Sequence, residues 1–471
     1  MIPAPLLDEI AAAPHGGQTV AFFDMDGTLV SGFTAFAFAL ERMKKPAASD
    51  IGVGAVALRY QLGRAEFVEL LEASTRALAG TSVDEVAAVA ESVYRKQIAS
   101  WVYPEARTII ANHRARRHRV VLVSAANDFQ VHHVAEDLDV DHVICNHMVI
   151  DDDGHVTGEV AQPVVYGSGK ATAAIDYAET NGLDLAHAFF YTDGYEDLPL
   201  LEAVGHPQPL NPDRRLAKVA KSKGWTEASF DSRGRPTRAQ IVRTVLAQSS
   251  VVPAATAGLL TGFLNGSKRL GVNLTMSTWG DYATSLAGVR MDVRGEEHLW
   301  ANRPCVFMFN HQSNFDGIVL MKLLRRDVTA IAKAELKHMP IVGPIFSLGD
   351  VVFIDREDSE GAIDALKHAA TTLENGLSIA IAPEGTRQRT PALGPFKKGG
   401  FHLAVAAQVP IVPIAIHNSL DVQPRGTLVM RPATVRVDVL PATPTEGLGP
   451  RDVPELVDQV RARFLSALGQ S

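Results

Sequence analysis

Two groups of residues in this 471-residue chain have types and spacing suited to chemistry. The first begins where the apolar run Val20–Phe23 ends abruptly in Asp24-Met25-Asp26-Gly27-Thr28. Two carboxylates two residues apart point the same way on an extended chain. At the carboxyl end of a buried strand they face the crevice where open α/β sheets bind ligands. A divalent cation relieves their mutual repulsion, and hard oxygen donors suit Mg²⁺. Later segments extend the set. Val120–Val123 runs into Ser124, whose hydroxyl can hold a phosphate oxygen. Lys170, in Gly-Ser-Gly-Lys, can neutralise phosphate charge, and Ala188–Tyr191 leads to Asp193, with Asp197 four residues on. The order strand–Asp, strand–Ser, Lys, strand–Asp points to phosphoryl transfer more specifically than any one member.

The second group follows the apolar run Pro304–Phe309, in Asn310-His311-Gln312-Ser313-Asn314-Phe315-Asp316. Five residues do not place His311 and Asp316 on one face of a regular helix, where neighbours are three or four apart. They meet if His311 lies on a loop and Ser313 or Asn314 caps a helix with Asp316 in its first turn. Asp316 would then fix the imidazole tautomer and stabilise its charged form. The histidine could take a proton from an acceptor hydroxyl as it attacks a thioester. Three more blocks accompany it: Val351–Ile354 runs into Asp355-Arg356, Ile379–Ala382 into Pro383-Glu384-Gly385-Thr386-Arg387, and Pro395-Phe396-Lys397-Lys398-Gly399 follows. Arginine suits bidentate phosphate recognition and lysine adds a point charge. Several cations at strand ends therefore point to an anionic acceptor.

These groups need scaffolds. Short apolar runs alternate with helical patterns in both halves, the pattern of two α/β domains. The polar, glycine- and proline-broken stretch Ser229–Arg238 divides them. Between Asp26 and Ser124 lies a long helix-like region, with Phe67, Leu70, Leu71, Ser74 and Leu78 on its apolar spacing, that would cap the first site. Phe33, Phe36 and Phe38 suit a lipid chain, but aromatic residues at such spacing read first as core. Leu260, Phe263, Leu264, Leu270 and Leu274 can share one face of a helical pair continued by Met276, Trp279, Tyr282, Ala283 and Leu286. Such a pair can lie on a membrane surface. No run reaches the roughly 20 apolar residues of a bilayer span, and the opening segment, with Asp8 and Glu9 and no basic start, does not read as a signal peptide. A net charge of -8 argues against a nucleic-acid partner. Two cysteines, Cys145 and Cys305, in apolar stretches fit reduced thiols and a cytoplasmic setting.

Residues 18–225 resemble the haloacid dehalogenase-like phosphatases, in the phosphoserine-phosphatase-like branch with a helical cap. The resemblance implies Asp24 as nucleophile, forming an aspartyl-phosphate, and Asp26 as general acid and then base. It implies Mg²⁺ held by Asp24, the backbone carbonyl of Asp26 and Asp193, phosphate gripped by Ser124 and Lys170, and Asp197 supporting the metal. One position departs from the pattern. Where related proteins read D-x-x-N-D, this chain has Asp193-Gly194-Tyr195-Glu196-Asp197. An ionised Glu196 cannot donate a hydrogen bond to phosphate and would repel it.

Residues 288–416 resemble the glycerolphosphate acyltransferase superfamily, especially its 1-acylglycerol-3-phosphate acyltransferases, through NHQSNFD, KAEL with GPIF, FIDR, PEGTR and VPIVPIAI. That implies His311 as general base with Asp316, and Arg356 and Arg387 on the glycerol-phosphate group. It implies Glu384 and Gly385 in the structure of the site and in contact with substrate. Lys333, Lys397 and Lys398 are further phosphate or cofactor candidates. The acyl donor would be an acyl-CoA or acyl-carrier-protein thioester.

The expected architecture is a phosphatase domain over 1–228 with its cap at 31–105, a linker over 229–250, and an acyltransferase domain over 251–471 with its helical pair at 254–287. The expected protein acylates lysophosphatidic acid to phosphatidic acid, hydrolyses a phosphomonoester with Mg²⁺, and sits peripherally on the cytoplasmic face of a membrane. The alternative is an acyltransferase whose phosphatase-like domain binds or regulates.

Overall fold

The computed structural model describes residues 2–42, 53, 55–56, 59, 65–334, 349–354, 369–388 and 392–470. The chain forms two compact α/β units, Met1–Arg235 and Pro236–Ser471.

In the first unit, β1 (Val20–Phe23), β2 (Arg119–Asn127), β3 (His142–Asn146), β6 (Phe189–Thr192) and β7 (His206–Pro209) form one parallel sheet in the order β3-β2-β1-β6-β7. All four side chains of β1 are buried, as expected of a parallel strand covered on both faces. Alternate residues serve opposite cores: Ala21 and Phe23 join one cluster, Val20 and Phe22 the other. The carboxyl ends of β1, β2 and β6 lie side by side, which brings Asp24, Ser124 and Asp193 to one edge. Around the sheet we number α1 (Thr34–Arg42), α2 (Phe67–Arg76), α3 (Val83–Lys96), α4 (Pro104–Ala115), α5 (Asp128–Asp137) and α6 (Ser168–Thr180).

The expected cap contains α2 and α3, part of it lying outside the described residues. It also recruits a hairpin that the sequence reading did not anticipate, β4 (Met148–Ile150) with β5 (Val156–Val160). Gly80 donates to the Val156 carbonyl at 2.8 Å and Val156 donates back to Thr81 at 2.9 Å. The hairpin is short and turns through Asp151-Asp152-Asp153-Gly154, so its sequence reads as a polar loop.

The second unit has a seven-stranded sheet: β8 (Arg290–Arg294), β9 (Val306–Phe309), β10 (Val328–Lys333), β11 (Val352–Ile354), β12 (Ser378–Ile381), β13 (Ile411–Ile416) and β14 (Thr434–Val439). Its order is β11-β10-β12-β9-β13-β14-β8, with only the β13–β14 pair antiparallel. Helices α7 (Arg238–Ser249), α8 (Val251–Leu264), α9 (Lys268–Ala287), α10 (Asp316–Leu324), α11 (Gly399–Ala406) and α12 (Val453–Leu468) surround it.

Two expectations are corrected here. The linker ends early, because α7 starts at Arg238 on a capping box in which the Thr237 hydroxyl and the Gln240 side chain satisfy each other's backbone N–H. The expectation that no segment is long and apolar enough to span a bilayer also fails. Arg238–Leu264, 27 residues of nearly continuous helix, meets both conditions, with 28% of its most apolar stretch buried. Polar Gln248, Ser249 and Ser250 interrupt that run in the sequence, which hid it. Its inner stripe, Ala247, Val251, Ala254 and Gly258, is buried. A Cβ on Gly271 of α9 would lie 2.5 Å from the Gly258 carbonyl, so glycine is what lets α8 and α9 pack this closely. Leu260, Phe263, Leu264 and Leu270 are exposed, Phe263 by 85%, while Leu274 is half-buried. Met276 and Trp279 turn inward onto the domain core. A Cβ on Gly280 would lie 2.6 Å from the Lys322 backbone nitrogen, which seats α9 against α10.

Candidate active sites

In the first unit, Asp24 leaves β1 with its N–H on the Tyr191 carbonyl at 2.9 Å. Lys170, buried on α6, donates to Asp24 Oδ1 at 2.6 Å and to Asp197 Oδ2 at 2.9 Å. Thr192 also donates to Asp197 Oδ2, at 2.7 Å, and Asp197 Oδ1 is buried with no hydrogen-bond partner among the described residues. The Asp26 carboxylate accepts the Thr34 backbone N–H at 3.0 Å and its hydroxyl at 3.1 Å. Asp193 sits against Gly27, where a Cβ would overlap its carboxylate, and Gly27 also needs its φ of +80°. Ser124 lies inside β2, two residues past Leu122, the last to pair with β1, and its Oγ accepts the Ala126 N–H at 3.1 Å. The expected set therefore lies along one edge of the sheet.

The electrostatics explain why a cation suits the place. Burial pushes Asp24 up to about 6, with Lys170 opposing. Burial lifts Asp26 to about 7 against its bonds to Thr34. Burial and then Asp24 raise Asp193 well above the carboxylate range. Burial works against the charge on Lys170, but Asp197 and Asp24 outweigh it and hold the ammonium above its usual range. One lysine among four acids leaves the charge uncompensated. The all-oxygen donor set of Asp24, Asp193 and the Asp26 carbonyl fits Mg²⁺. Glu196 is exposed, and its carboxylate folds back over Gly194, where a Cβ would lie 2.8 Å from Glu196 Cδ.

In the second unit, Asn310 ties the end of β9 to β13, donating to the Ile416 carbonyl at 2.8 Å and accepting its N–H at 2.7 Å. His311 follows on the loop. Its Nδ1 lies 2.7 Å from Asp316 Oδ2, which also accepts the N–H groups of Gln312 at 2.8 Å and Ser313 at 2.9 Å. Asp316 is fully buried. A carboxylate can only accept, so Nδ1 carries the proton and Nε2 keeps its lone pair. No described residue engages Nε2. The helix start differs from the expected cap: Phe315 occupies the capping position without a side-chain bond. Ser313 holds the turn instead, accepting the Phe315 N–H at 3.1 Å and donating to the Gln423 carbonyl at 2.8 Å.

Glu384, also buried, accepts the His311 N–H at 2.7 Å and the Gly394 N–H at 2.9 Å. Burial raises its pKa against those two donors. Each carboxylate oxygen thus accepts a backbone N–H, so Glu384 braces the histidine loop. Gly385, at φ +72°, packs on Lys397, whose Cδ a Cβ would approach to 2.8 Å. Arg387 donates to the Asn314 side chain, so its guanidinium lies across the histidine loop. Gln388 closes the same loop by donating to the His311 carbonyl at 2.7 Å. Arg356 and the Lys333 side chain lie outside the described residues, and Lys397 and Lys398 are exposed. Sequence reasoning missed Arg425, which donates to the Arg387 carbonyl at 3.2 Å and the Gln388 carbonyl at 2.9 Å. No motif surrounds it; only its place after Pro424 marks a turn.

The haloacid dehalogenase-like hydrolase family matches residues 21–202, and the acyltransferase family matches residues 290–417. A 1-acyl-sn-glycerol-3-phosphate acyltransferase alpha of Ovis aries is 41% identical over 182 residues, 38% of this chain and 63% of that protein. The chain thus spans less than two thirds of that relative's own length. A probable phosphatase of Mycobacterium tuberculosis is 34% identical over 227 residues, 45% of this chain and 76% of that one. The solved 1-acyl-sn-glycerophosphate acyltransferase of Thermotoga maritima is 23% identical, with a TM-score of 0.43, covering 50% of this chain and 95% of its own. By the family and sequence matches the chain belongs, through its first domain, to the haloacid dehalogenase-like hydrolases and, through its second, to the acyltransferases.

Proposed function

We propose that the chain is a bifunctional enzyme of phosphoglycerolipid synthesis, converting lysophosphatidic acid to phosphatidic acid and hydrolysing a phosphomonoester. The observation that carries the first activity is the dyad of His311 and buried Asp316, 2.7 Å apart and braced by Glu384. His311 Nε2 takes the proton of the acceptor hydroxyl as that oxygen attacks the thioester carbonyl. Asp316 steadies the resulting imidazolium, which then protonates the departing thiolate of coenzyme A or acyl carrier protein. Arg387, beside the histidine loop, pairs with the acceptor phosphate. General-base catalysis of this kind contributes about 10²–10⁴-fold in rate.

In the first domain, Asp24 attacks phosphorus and becomes an aspartyl-phosphate, while Asp26 protonates the leaving alcohol and later deprotonates the incoming water. Splitting the displacement in this way replaces one hard step with two easier ones. When bound to Asp24, Asp193 and the Asp26 carbonyl, Mg²⁺ would neutralise charge developing on the phosphoryl oxygens. Lys170 offsets the negative charge of Asp24 and the phosphate. The exposed apolar face of α8 supports a peripheral seat on the cytoplasmic face of the membrane, where the lipid substrates reside.

Product analysis by mass spectrometry tests both halves at once. The purified chain would receive lysophosphatidic acid with acyl-CoA or acyl carrier protein thioester, with and without Mg²⁺. Phosphatidic acid is expected in both conditions, and inorganic phosphate only with Mg²⁺. If neither donor yields phosphatidic acid, the acyl-transfer assignment is wrong. If phosphatidic acid forms but no lipid or small phosphomonoester is hydrolysed, the first domain is a binding or regulatory module, the reading that Glu196 favours.

A further inference from the structure

Outside both sites, the histidines are unevenly spread: His132, His133, His142 and His147 fall within one short stretch of the first domain. Two of them share α5 with Glu136. Helical neighbours three and four residues apart face one another, so Glu136 stands between both imidazoles. Its Oε1 lies 3.4 Å from His132 Nε2 and its Oε2 lies 3.1 Å from His133 Nδ1. The three donor atoms all lie within 4.8 Å of one another. His132 and Glu136 open on a groove of about 670 Å³ along β3, the edge of the sheet, which Asp128, His142 and His147 also line. Asp24, Ser124, Lys170 and Asp193 do not line this groove.

An ordinary helix ion pair needs one histidine and one acid. Here a single carboxylate serves two imidazoles whose ring centres are 5.0 Å apart. Two imidazolium ions that close would repel, whereas two neutral imidazoles and a carboxylate form an N,N,O donor set. His133 is the ordered member, with its ring 5.6 Å from Tyr94 of the cap helix α3. Imidazole with carboxylate suits Zn²⁺ and its neighbours in the transition series, while Mg²⁺ and Ca²⁺ prefer oxygen alone.

We propose that His132, His133 and Glu136 form a second metal site, specific for a borderline transition cation of the Zn²⁺ or Ni²⁺ type. On binding, the cation takes the place of the proton between His133 Nδ1 and Glu136 Oε2, which passes to solvent, and water completes the coordination. Titration calorimetry of the untagged full chain with ZnCl₂, NiCl₂ and MgCl₂ tests this. The parent should bind one Zn²⁺ more than the His132→Ala/His133→Ala variant, with identical Mg²⁺ responses from both. Losing a supporting residue alone costs about 10–100-fold in metal affinity, so Glu136→Gln should weaken this Zn²⁺ step by at least ten-fold. Ni²⁺ should follow the same pattern. Equal Zn²⁺ stoichiometry and affinity across parent and variants overturns the proposal. Should the double variant lose its native circular dichroism, His132→Ala and Glu136→Gln, both at exposed positions, decide the matter alone.

Discussion

His311 faces two ways: Nδ1 is committed to Asp316, and Nε2 is the nitrogen left for chemistry. His311→Ala should therefore lower acyl transfer by about 10²–10⁴-fold while Mg²⁺-dependent phosphate release stays near parental. A rate within a few-fold of the parent would remove His311 from the mechanism. Arg425 touches neither dyad residue, yet it holds the carbonyl of the arginine expected to meet phosphate and that of the residue after it. A charged donor's hydrogen bond contributes about 1.5–3 kcal/mol. Arg425→Ala should thus raise KM for lysophosphatidic acid about ten-fold or more, with a smaller change in kcat. Arg425→Lys should restore part of the loss, because both bonds come from Nη1 alone and a single ammonium nitrogen can also donate to two carbonyls. Equal losses with a neutral acceptor such as monoacylglycerol would mean that Arg425 only supports the fold. Asp24, Ser124 and Asp193 were legible in the sequence because each directly follows the apolar run of a buried strand, although β2 itself continues past Ser124 to Asn127. Arg425 was not, since its partners are backbone carbonyls that any sequence supplies.

At the scale of elements, α4, β6 and the segment before β1 are joined by a buried polar chain. His113 Nε2 lies 2.8 Å from the Tyr191 hydroxyl, His113 Nδ1 lies 2.9 Å from His118 Nδ1, and His118 Nε2 lies 2.9 Å from the Pro14 carbonyl. A carbonyl only accepts, which fixes every proton: His118 donates to Pro14, His113 donates to His118, and Tyr191 donates to His113. Each imidazole is satisfied only while neutral. Burial accordingly pushes His113 down to about 3, with His118 and His206 adding to the effect, and lowers His118 as well. Because the folded-state values lie below the ordinary value near 6.5, the unfolded chain binds more protons as pH falls. The stabilisation is complete above about pH 6.5 and declines from there towards pH 3, by up to about 1.4 kcal/mol per pH unit for each group. Urea midpoints of the first domain measured from pH 7.5 to 4.5 should show this slope, and His113→Gln should flatten it. An unchanged slope in the variant would place the acid sensitivity elsewhere. The strands and helices that carry this chain were readable from apolar runs. The β4–β5 hairpin and the helical start at Arg238 were not, because a three-residue strand and a capping box inside a polar stretch carry little periodic signal.

For the whole molecule, the question is what the exposed face of α8 meets. Leu260→Asp with Phe263→Asp adds charge where both side chains are exposed. The variant should be released from phospholipid vesicles in a flotation assay while keeping its circular dichroism and its activity on detergent-dispersed substrate. Unfolding of the variant would instead mean that this face packs against protein. The division into two α/β domains was plain from their unrelated motifs, whereas the single long helix Arg238–Leu264 became visible only once α7 and α8 were seen end to end.

The contact at Gly280 has a consequence for anyone who would treat the α8–α9 hairpin as an interchangeable part. With room for no side chain between α9 and the Lys322 backbone, the hairpin is keyed to the helix whose first residue is Asp316. The acidic group Asp281, next along α9, is gripped by both nitrogens of Arg325 just past the end of that helix. A hairpin transplanted from another protein would have to bring the same notch and the same acid at the same register. Without them, a graft meant only to alter where the enzyme docks would also disturb how its histidine is aimed.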